Sequence, residues 1–332
     1  MQMLKERTFY FDALNVLSCI SVVCLHSNGY IHKFDKDEWW WLRVLIEVIC
    51  YFAVPVFFML SGANLLNYRQ RYSTFQFVRK RFLKVMVPFL CWGIIFYFIF
   101  FLYHPFNLKS ILAGFTNGKI PYTSFWFFIP LFLLYFFMPF LSTMVNNLNK
   151  RSMLVLIVVL LLFQTIIPTL YSIMGQKFSM SLPIGGYFIY ALLGYYIVTT
   201  DLEKNNVAYF AIGACALLTL IVRYVLIYNS IDKSPALFSY FGLYAVLPSV
   251  FIFISFKKMP PPGRSVKQTI AFLSKHSFGV YLIHAFLIFL LTFVITKKNP
   301  VFIPASIVLV YALSVFITFL MQRFKLTKFL MP

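Results

Sequence analysis

Apolar stretches of about twenty residues alternate with short polar segments along almost the whole chain. About twenty apolar residues in a helix cross the hydrocarbon core of a bilayer, whereas a barrel strand needs only about ten with strict alternation. The pattern therefore predicts an all-α fold, a polytopic membrane helix bundle. Ten spans are predicted, at 9–30, 40–66, 82–103, 125–145, 153–172, 183–199, 207–228, 236–256, 270–295 and 301–322.

Composition and charge agree with this class of protein. Hydrophobic residues make up 61% of the chain and charged residues 11%, whereas soluble domains have roughly half and a quarter. The net charge of +20 comes from Lys and Arg that cluster between the apolar stretches, so it indicates membrane topology and not nucleic-acid binding. No polar stretch is long enough for an appended soluble domain, so residues 1–332 are predicted to form a single membrane domain.

The loop charges predict the orientation of the spans. With the N-terminus inside, the inner segments carry nineteen Lys and Arg and the outer segments carry eight. The positive-inside rule then predicts that both termini are cytoplasmic. Lys5 and Arg7 precede the first apolar run and no small-residue cleavage site follows, so we expect a retained first span. The five cysteines lie in apolar spans without C-x-x-C spacing, so no metal site is expected.

The first span carries polar residues that are unusual in a membrane helix. Asp12, Asn15, Cys19, Val22 and His26 follow one another at steps of three and four, so they share one helix face. Ionisable groups inside a span usually face a bundle interior or a wet cavity. A neutral imidazole takes a proton from a hydroxyl near pH 7, so His26 is either a general base or a packing residue bonded to a neighbouring helix.

The second span holds a carboxylate and a helix breaker. Glu47 needs a partner inside the membrane, and Arg43, one turn earlier, is a possible one. Pro55 removes a helix hydrogen bond and predicts a kink. Ser61 and Gly62 are small residues that let helices approach closely.

Cations cluster at the start of the third span. Arg79, Lys80, Arg81 and Lys84 lie within six residues of one another. They either bind the phosphates of a ligand that arrives from the cytosol or form an ordinary positive-inside cluster.

Two later segments carry candidate contacts for a substrate. Trp126 begins a span on the outer side and either stacks on a sugar or anchors the interface. Tyr281 and His284 lie in the ninth span, and His284 is predicted near mid-membrane.

Several sequence segments together resemble the acyltransferase-3 family of integral membrane acyltransferases. Asp12 and His26 match the family's first-span pattern of Asp, then Arg, then ten residues, then His. The second-span segment VPxFFxxSG is similar at Val54–Gly62, and Arg79–Pro88 resembles the basic segment before the third-span proline. The Trp126 segment and the segment SFGVYLIH also have counterparts, and no P-loop, H-E-x-x-H or G-x-S-x-G motif is present.

The resemblance implies transfer of an acetyl or other short acyl group from cytosolic acyl-CoA to a hydroxyl of a cell-envelope glycan or its lipid-linked precursor. It implies His26 and Asp12 as catalytic residues, and a multi-pass protein of the bacterial cytoplasmic membrane that contacts membrane lipids. Acetyl-CoA is then a co-substrate, and no tightly bound cofactor is expected. The residues proposed to contact this donor are Arg79, Arg81, Lys84 and Asn15, and those proposed to contact the acceptor are Glu47, Trp126, Tyr281 and His284.

Two positions depart from the family pattern. Asn15 stands where the family has Arg, and it donates hydrogen bonds without a charge. Lys84 stands where an Arg is frequent, which keeps the charge and loses the planar fork. The Asn15 departure leaves open a catalytically weakened family member. A second alternative is a carrier or flippase for a glycan or lipid precursor, with the same polar face of the first span lining its path. No feature of the sequence specifies an oligomeric state.

Overall fold

A computed structural model describes residues 8–174, 176, 186–230 and 237–332, and these residues form helices and connecting turns without a β-strand. The α-helices are α1 Phe9–Ser27, α2 Trp40–Cys50, α3 Ala53–Leu65, α4 Thr74–Arg81, α5 Val87–Phe101, α6 Leu108–Asn117, α7 Phe128–Asn147, α8 Lys150–Leu161, α9 Ile167–Ile173, α10 Phe188–Thr199, α11 Asn206–Asn229, α12 Leu243–Lys258, α13 Arg264–Leu291, α14 Phe302–Ala305 and α15 Tyr311–Arg323. The all-α prediction is confirmed.

Eight helical stretches of the described chain are long and apolar enough to cross a membrane. They fall on eight of the ten predicted spans. The other two predicted spans meet shorter helices, α10 with 12 residues and α12 with 16. Ten spans and cytoplasmic termini therefore stay predictions. Residues 183–185 and 236 of those two spans lie outside the described residues, as do the loop cations Lys5, Arg7, Lys177 and Lys233.

Local sequence explains the breaks inside these helical stretches. The second span is interrupted at Tyr51 and Phe52, where the missing N–H of Pro55 deprives the carbonyl four residues earlier of its partner. The kink predicted at Pro55 is therefore present. Three other stretches contain a π-helical turn, at Phe82–Met86, Leu162–Ile166 and Ser306–Val310. A π turn adds a residue and widens the helix.

The chain divides into two compact units. Unit 1 comprises the described residues of 1–66 and 145–274, and unit 2 comprises residues 67–144 and 275–332. The unit boundary falls within α7 and within α13.

Unit 1 is built around the close approach of α3 and α10. A Cβ added at Gly62 would lie 1.9 Å from the Ala191 carbonyl oxygen, and one at Gly194 would lie 2.1 Å from the Met59 carbonyl oxygen. Two backbones touch at both points, as is usual where small residues line a membrane helix interface. The close approach predicted at Gly62 is confirmed.

Unit 2 has an aromatic core. Phe89, Phe125 and Phe128 are buried, and their ring centroids are separated by 5.1 to 5.6 Å in tilted or edge-on geometry. Such pairs are more stable than a face-to-face sandwich because the ring edge is positive and the face negative. Trp92 ties the carboxyl-terminal segment to this unit through a 3.2 Å hydrogen bond from Nε1 to the Leu330 carbonyl.

We expect Gly62→Ala and Gly194→Ala each to destabilise the protein by about 1–3 kcal/mol, because the added methyl group meets backbone that cannot rotate away. Thermal unfolding of the purified protein in detergent measures the effect. Gly263→Ala is the matched control, since a Cβ at that position meets nothing within 4 Å. Melting temperatures equal to that of the control would contradict the proposed backbone contact.

Candidate active site

The polar face of the first span lies on one unbroken helix. Helix α1 continues from Phe9 to Ser27, so Asp12 and His26 are about 21 Å apart along its axis at 1.5 Å per residue. Asp12 is buried in the first turn, where the helix dipole favours a negative charge. Asn15 and His26 are half-buried. The predicted placement of the two ionisable groups at opposite ends of the helix is confirmed.

Ser274 fixes the Asp12 end of this helix. Its hydroxyl donates a 2.7 Å hydrogen bond to Asp12 Oδ1. Asn15 Nδ2 donates to the Ser274 hydroxyl at 2.9 Å and to the Ser274 carbonyl oxygen at 3.1 Å. Ser274 therefore holds the Asp12 carboxylate, and the Asn15 amide hydrogens join α1 to α13.

His26 lies in the last turn of α1. Its neighbour Leu25 packs against a buried cluster of Tyr51, Tyr244 and Ala245. The following turn is closed by a backbone hydrogen bond of 2.9 Å from the Asn28 N–H to the Cys24 carbonyl. His26 therefore lies in the last turn of a helix that packs, through Leu25, against a buried tyrosine cluster.

The loop after α1 is held by its own charges. Tyr30 donates a hydrogen bond to Asp35, and Arg43 forms a 3.4 Å ion pair with Asp37. Asn28 donates a 2.8 Å hydrogen bond to the Arg43 carbonyl. The Asp35 carboxylate that accepts from Tyr30 raises the pKa of this phenol above its ordinary value, because the hydrogen bond stabilises the protonated form.

Glu47 is buried and pairs with Arg223 of helix α11. Arg223 Nη2 lies 3.9 Å from Glu47 Oε1, and Nη1 donates a 3.2 Å hydrogen bond to the Glu47 carbonyl. The guanidinium carbon lies 3.8 Å from the Tyr51 ring centroid and 4.6 Å from that of Tyr244, which adds cation–π attraction. The partner that Glu47 requires in the membrane thus comes from a helix remote in sequence, while Arg43 pairs with Asp37.

Three side chains hold the segment that leads into α12. Arg223 Nε donates a 3.0 Å hydrogen bond to the Leu237 carbonyl. Tyr51 donates to the Phe238 carbonyl, and Tyr190 donates to the Tyr240 carbonyl. The Tyr51 and Tyr240 rings stack at 4.3 Å. Residues 237–240 are therefore fixed by α11, by the α2–α3 junction and by α10.

The predicted donor-binding cations begin the third span, in unit 2. Arg79 and Lys84 are exposed. Arg81 differs from them because its side chain is half-buried, with the guanidinium carbon 5.7 Å from the Tyr135 ring centroid and 5.8 Å from that of Phe77. The three cations therefore do not form one uniform patch.

Unit 2 brings two of the predicted acceptor segments together. Tyr281 donates a 2.5 Å hydrogen bond to the carbonyl of Ser124, and its ring lies 5.4 Å from that of Phe127. Trp126 lies between these two residues in sequence and is half-buried. The contact joins the Trp126 segment to helix α13.

His284 is fully buried one turn beyond Tyr281. Its Nδ1 lies 3.1 Å from the Val280 carbonyl oxygen and 2.9 Å from the Tyr281 carbonyl oxygen. A carbonyl oxygen only accepts, so Nδ1 carries the proton and Nε2 carries the lone pair in the neutral ring. The surrounding backbone therefore selects the tautomer in which Nε2 is the basic atom.

Several residues that shape these sites were not predicted. Ser274 and Ser124 contact predicted site residues, yet a serine near a span carries no signal in one sequence. Arg223 did carry one, since an arginine inside an apolar run demands a partner, but its partner Glu47 is 176 residues away.

We expect Ser274→Ala to destabilise the protein by about 1–2 kcal/mol. An interhelical hydrogen bond in a membrane contributes about 0.6 kcal/mol on average, but here the acceptor is a buried carboxylate, and hydrogen bonds to charged groups contribute more. Thermal unfolding in detergent measures the change. Ser265→Ala, an exposed position of the same helix, is the control, and equal melting temperatures for the two variants would contradict the role of Ser274.

Comparison with known families places the chain in one of them. The model of a family described as an acyltransferase domain, the acyltransferase-3 family, matches residues 8–319, which is nearly the whole chain. No curated protein and no solved structure matches the chain at a significant level. The matched range includes every candidate site residue described above. The chain therefore belongs to the acyltransferase-3 family and is a membrane acyltransferase.

Proposed function

We propose that the protein transfers an acetyl or other short acyl group from cytosolic acyl-CoA to a hydroxyl of a cell-envelope glycan or its lipid-linked precursor. The family supports acyl transfer, and the apolar helices support a membrane location. One structural observation supports the proposal in addition to family membership. Helix α1 has an imidazole, His26, in its last turn and a carboxylate, Asp12, in its first turn, and Ser274 holds this carboxylate.

His26 is proposed to act as the general base. The imidazole takes the proton of the acceptor hydroxyl while that oxygen attacks the thioester carbonyl. The carbon–sulfur bond breaks, the acyl group moves to the acceptor oxygen, and the proton held by His26 passes to the departing thiolate. A histidine suits both transfers because its ordinary pKa lies near neutrality. Brief attachment of the acyl group to His26 is an alternative route to the same products.

Asp12 is proposed to position helix α1 and to attract cationic groups. Its carboxylate accepts from Ser274 and so anchors the end of α1 opposite His26. Asn15 remains a predicted donor contact; its described hydrogen bonds run to the same serine. A family arginine at this position would add a charge that Asn15 lacks, which leaves recognition of the donor to other cations.

Arg79 and Lys84 are proposed to bind the phosphates of coenzyme A. Both are exposed at the cationic end of the third span. The arginine offers a planar fork that fits a phosphate, and the lysine adds a point charge. Arg81 lies in the same sequence cluster and is the third cation predicted to contact the acyl-CoA donor.

Glu47, Trp126, Tyr281 and His284 are proposed to serve acceptor binding. An aromatic face such as that of Trp126 stacks on a sugar ring, and Tyr281 fixes the neighbouring segment through Ser124. The Nε2 lone pair of His284 accepts a hydrogen bond from a substrate hydroxyl. Glu47, paired with Arg223, supports the wall of tyrosines beside α1.

We expect His26→Ala to slow acetyl transfer by about 10²–10⁴-fold, which is the usual contribution of a general base. Purified protein, acetyl-CoA and an envelope glycan provide the assay, with the acetylated product measured directly. His104→Ala is the matched control, because His104 is exposed and stacks only on Phe100 among the ring contacts described for it. Transfer by His26→Ala at the wild-type rate would exclude this residue as the base.

We expect Arg79→Gln and Lys84→Gln to weaken acetyl-CoA binding about fivefold each, since each removes one phosphate contact at a wet surface. Isothermal titration with acetyl-CoA measures the affinity. Arg151→Gln, which removes an exposed cation from the start of α8, is the control and leaves the affinity unchanged. A wild-type protein without measurable affinity for acetyl-CoA would instead support a carrier of glycan or lipid precursors.

A further inference from the structure

Unit 2 contains positive charges and no negative ones. Its two segments carry eight Lys and Arg in 67–144 and six in 275–332, and neither segment contains an Asp or a Glu. All nine carboxylate residues of the chain lie in the other segments. No cation of unit 2 therefore finds a carboxylate partner within its own unit, and a bound anion is the natural counter-charge.

An apolar groove lies beside one of these cations. It is an open surface groove whose empty space, about 370 Å³, includes solvent at its mouth. All eight of its lining residues come from the helical stretch Thr74–Phe101 and from α7: Phe77, Val78, Arg81, Phe82, Met86, Phe132, Tyr135 and Phe136.

The groove opens on an exposed apolar surface of unit 2. Val78 is 46% exposed, Phe82 50% and Phe136 65%, and exposed apolar side chains of a membrane span face hydrocarbon. Val78, Phe82 and Met86 follow one another at steps of four and form one row. The π turn at Phe82–Met86 widens the helix within this row, and π turns are frequent at functional sites.

Arg81 places a positive charge at this groove. It lines the groove with Phe77, and its guanidinium carbon lies within 6 Å of the Phe77 and Tyr135 ring centroids. Its Nε is buried and has no hydrogen-bond partner among the residues that the structure describes. Arg81 is half-buried beside these rings, whereas the neighbouring cations Arg79 and Lys84 are exposed.

From these features we infer that the groove binds an anionic phospholipid, with an acyl chain against the row of Val78, Phe82 and Met86 and the phosphate on Arg81. A phospholipid fits both parts of this site. Its acyl chain suits the apolar lining, and its phosphate supplies the negative partner that Arg81 lacks within unit 2. In the predicted orientation this end of the span lies in the cytoplasmic leaflet, which is rich in anionic lipids. Arg81 then serves the lipid, and the exposed Arg79 and Lys84 remain for the donor.

The test is native mass spectrometry of the purified full chain in detergent with phosphatidylglycerol or phosphatidylcholine. The wild type is expected to retain phosphatidylglycerol about fivefold or more over phosphatidylcholine, which is the effect of one well-placed cation. Arg81→Gln removes this preference. Val78→Trp fills the groove and lowers retention of both lipids, and its exposed position keeps the variant folded even where Arg81→Gln aggregates.

Matched controls distinguish lipid binding in the groove from general effects of a lost surface charge or an added surface ring. Arg71→Gln removes an exposed cation of the same unit, and Val308→Trp adds the same ring at another exposed valine; both are expected to retain lipid as the wild type does. Equal lipid loss in variant and control overturns the proposal. Displacement of the lipid by acetyl-CoA assigns Arg81 to the donor and overturns it, and so does retention of a polyprenyl phosphate in preference to phosphatidylglycerol.

Discussion

The guanidinium of Arg223 lies 3.8 Å from the Tyr51 ring centroid and 3.9 Å from a Glu47 oxygen, and much of unit 1 depends on that contact. Helix α11 buries only Ala216, Arg223 and Ile227 among its 24 residues. Apolar helices gain little by associating in lipid, since the hydrocarbon is as apolar as they are. A buried, paired charge supplies the specificity that apolar packing cannot, because separating the pair inside the membrane would leave two uncompensated charges.

The same constraint explains how the rest of unit 1 is assembled. Helices α3 and α10 meet through backbone contact at Gly62 and Gly194, and α1 meets the start of α13 through the Asp12–Ser274 hydrogen bond. The α3–α10 interface depends on glycines, which have no side chain, and the α1–α13 interface depends on polar side chains. The end of α1 that carries His26 thereby packs, through Leu25, against tyrosines that Arg223 contacts.

The sequence predicted the features that depend on neighbouring residues. Hydropathy placed eight of the spans, Pro55 placed the break after Cys50, and Gly62 marked a close contact. It did not pair Glu47 with Arg223 or Asp12 with Ser274, because those partners lie 176 and 262 residues apart. It also treated Arg79, Arg81 and Lys84 as one cluster. That grouping rested on closeness in sequence, which does not show that Arg81 is half-buried while Arg79 and Lys84 are exposed.

The absence of carboxylates from unit 2 also determines how that unit responds to acidity. Acid weakens a protein's attraction for cations by neutralising its Asp and Glu, but unit 2 has none to neutralise. Lys and Arg ordinarily keep their protons far above neutral pH, so a fall in pH removes none of the positive charge of its side chains. Unit 2 therefore keeps its positive field across the acidic and neutral range, and only dissolved salt, with a screening length of about 8 Å at physiological strength, weakens it.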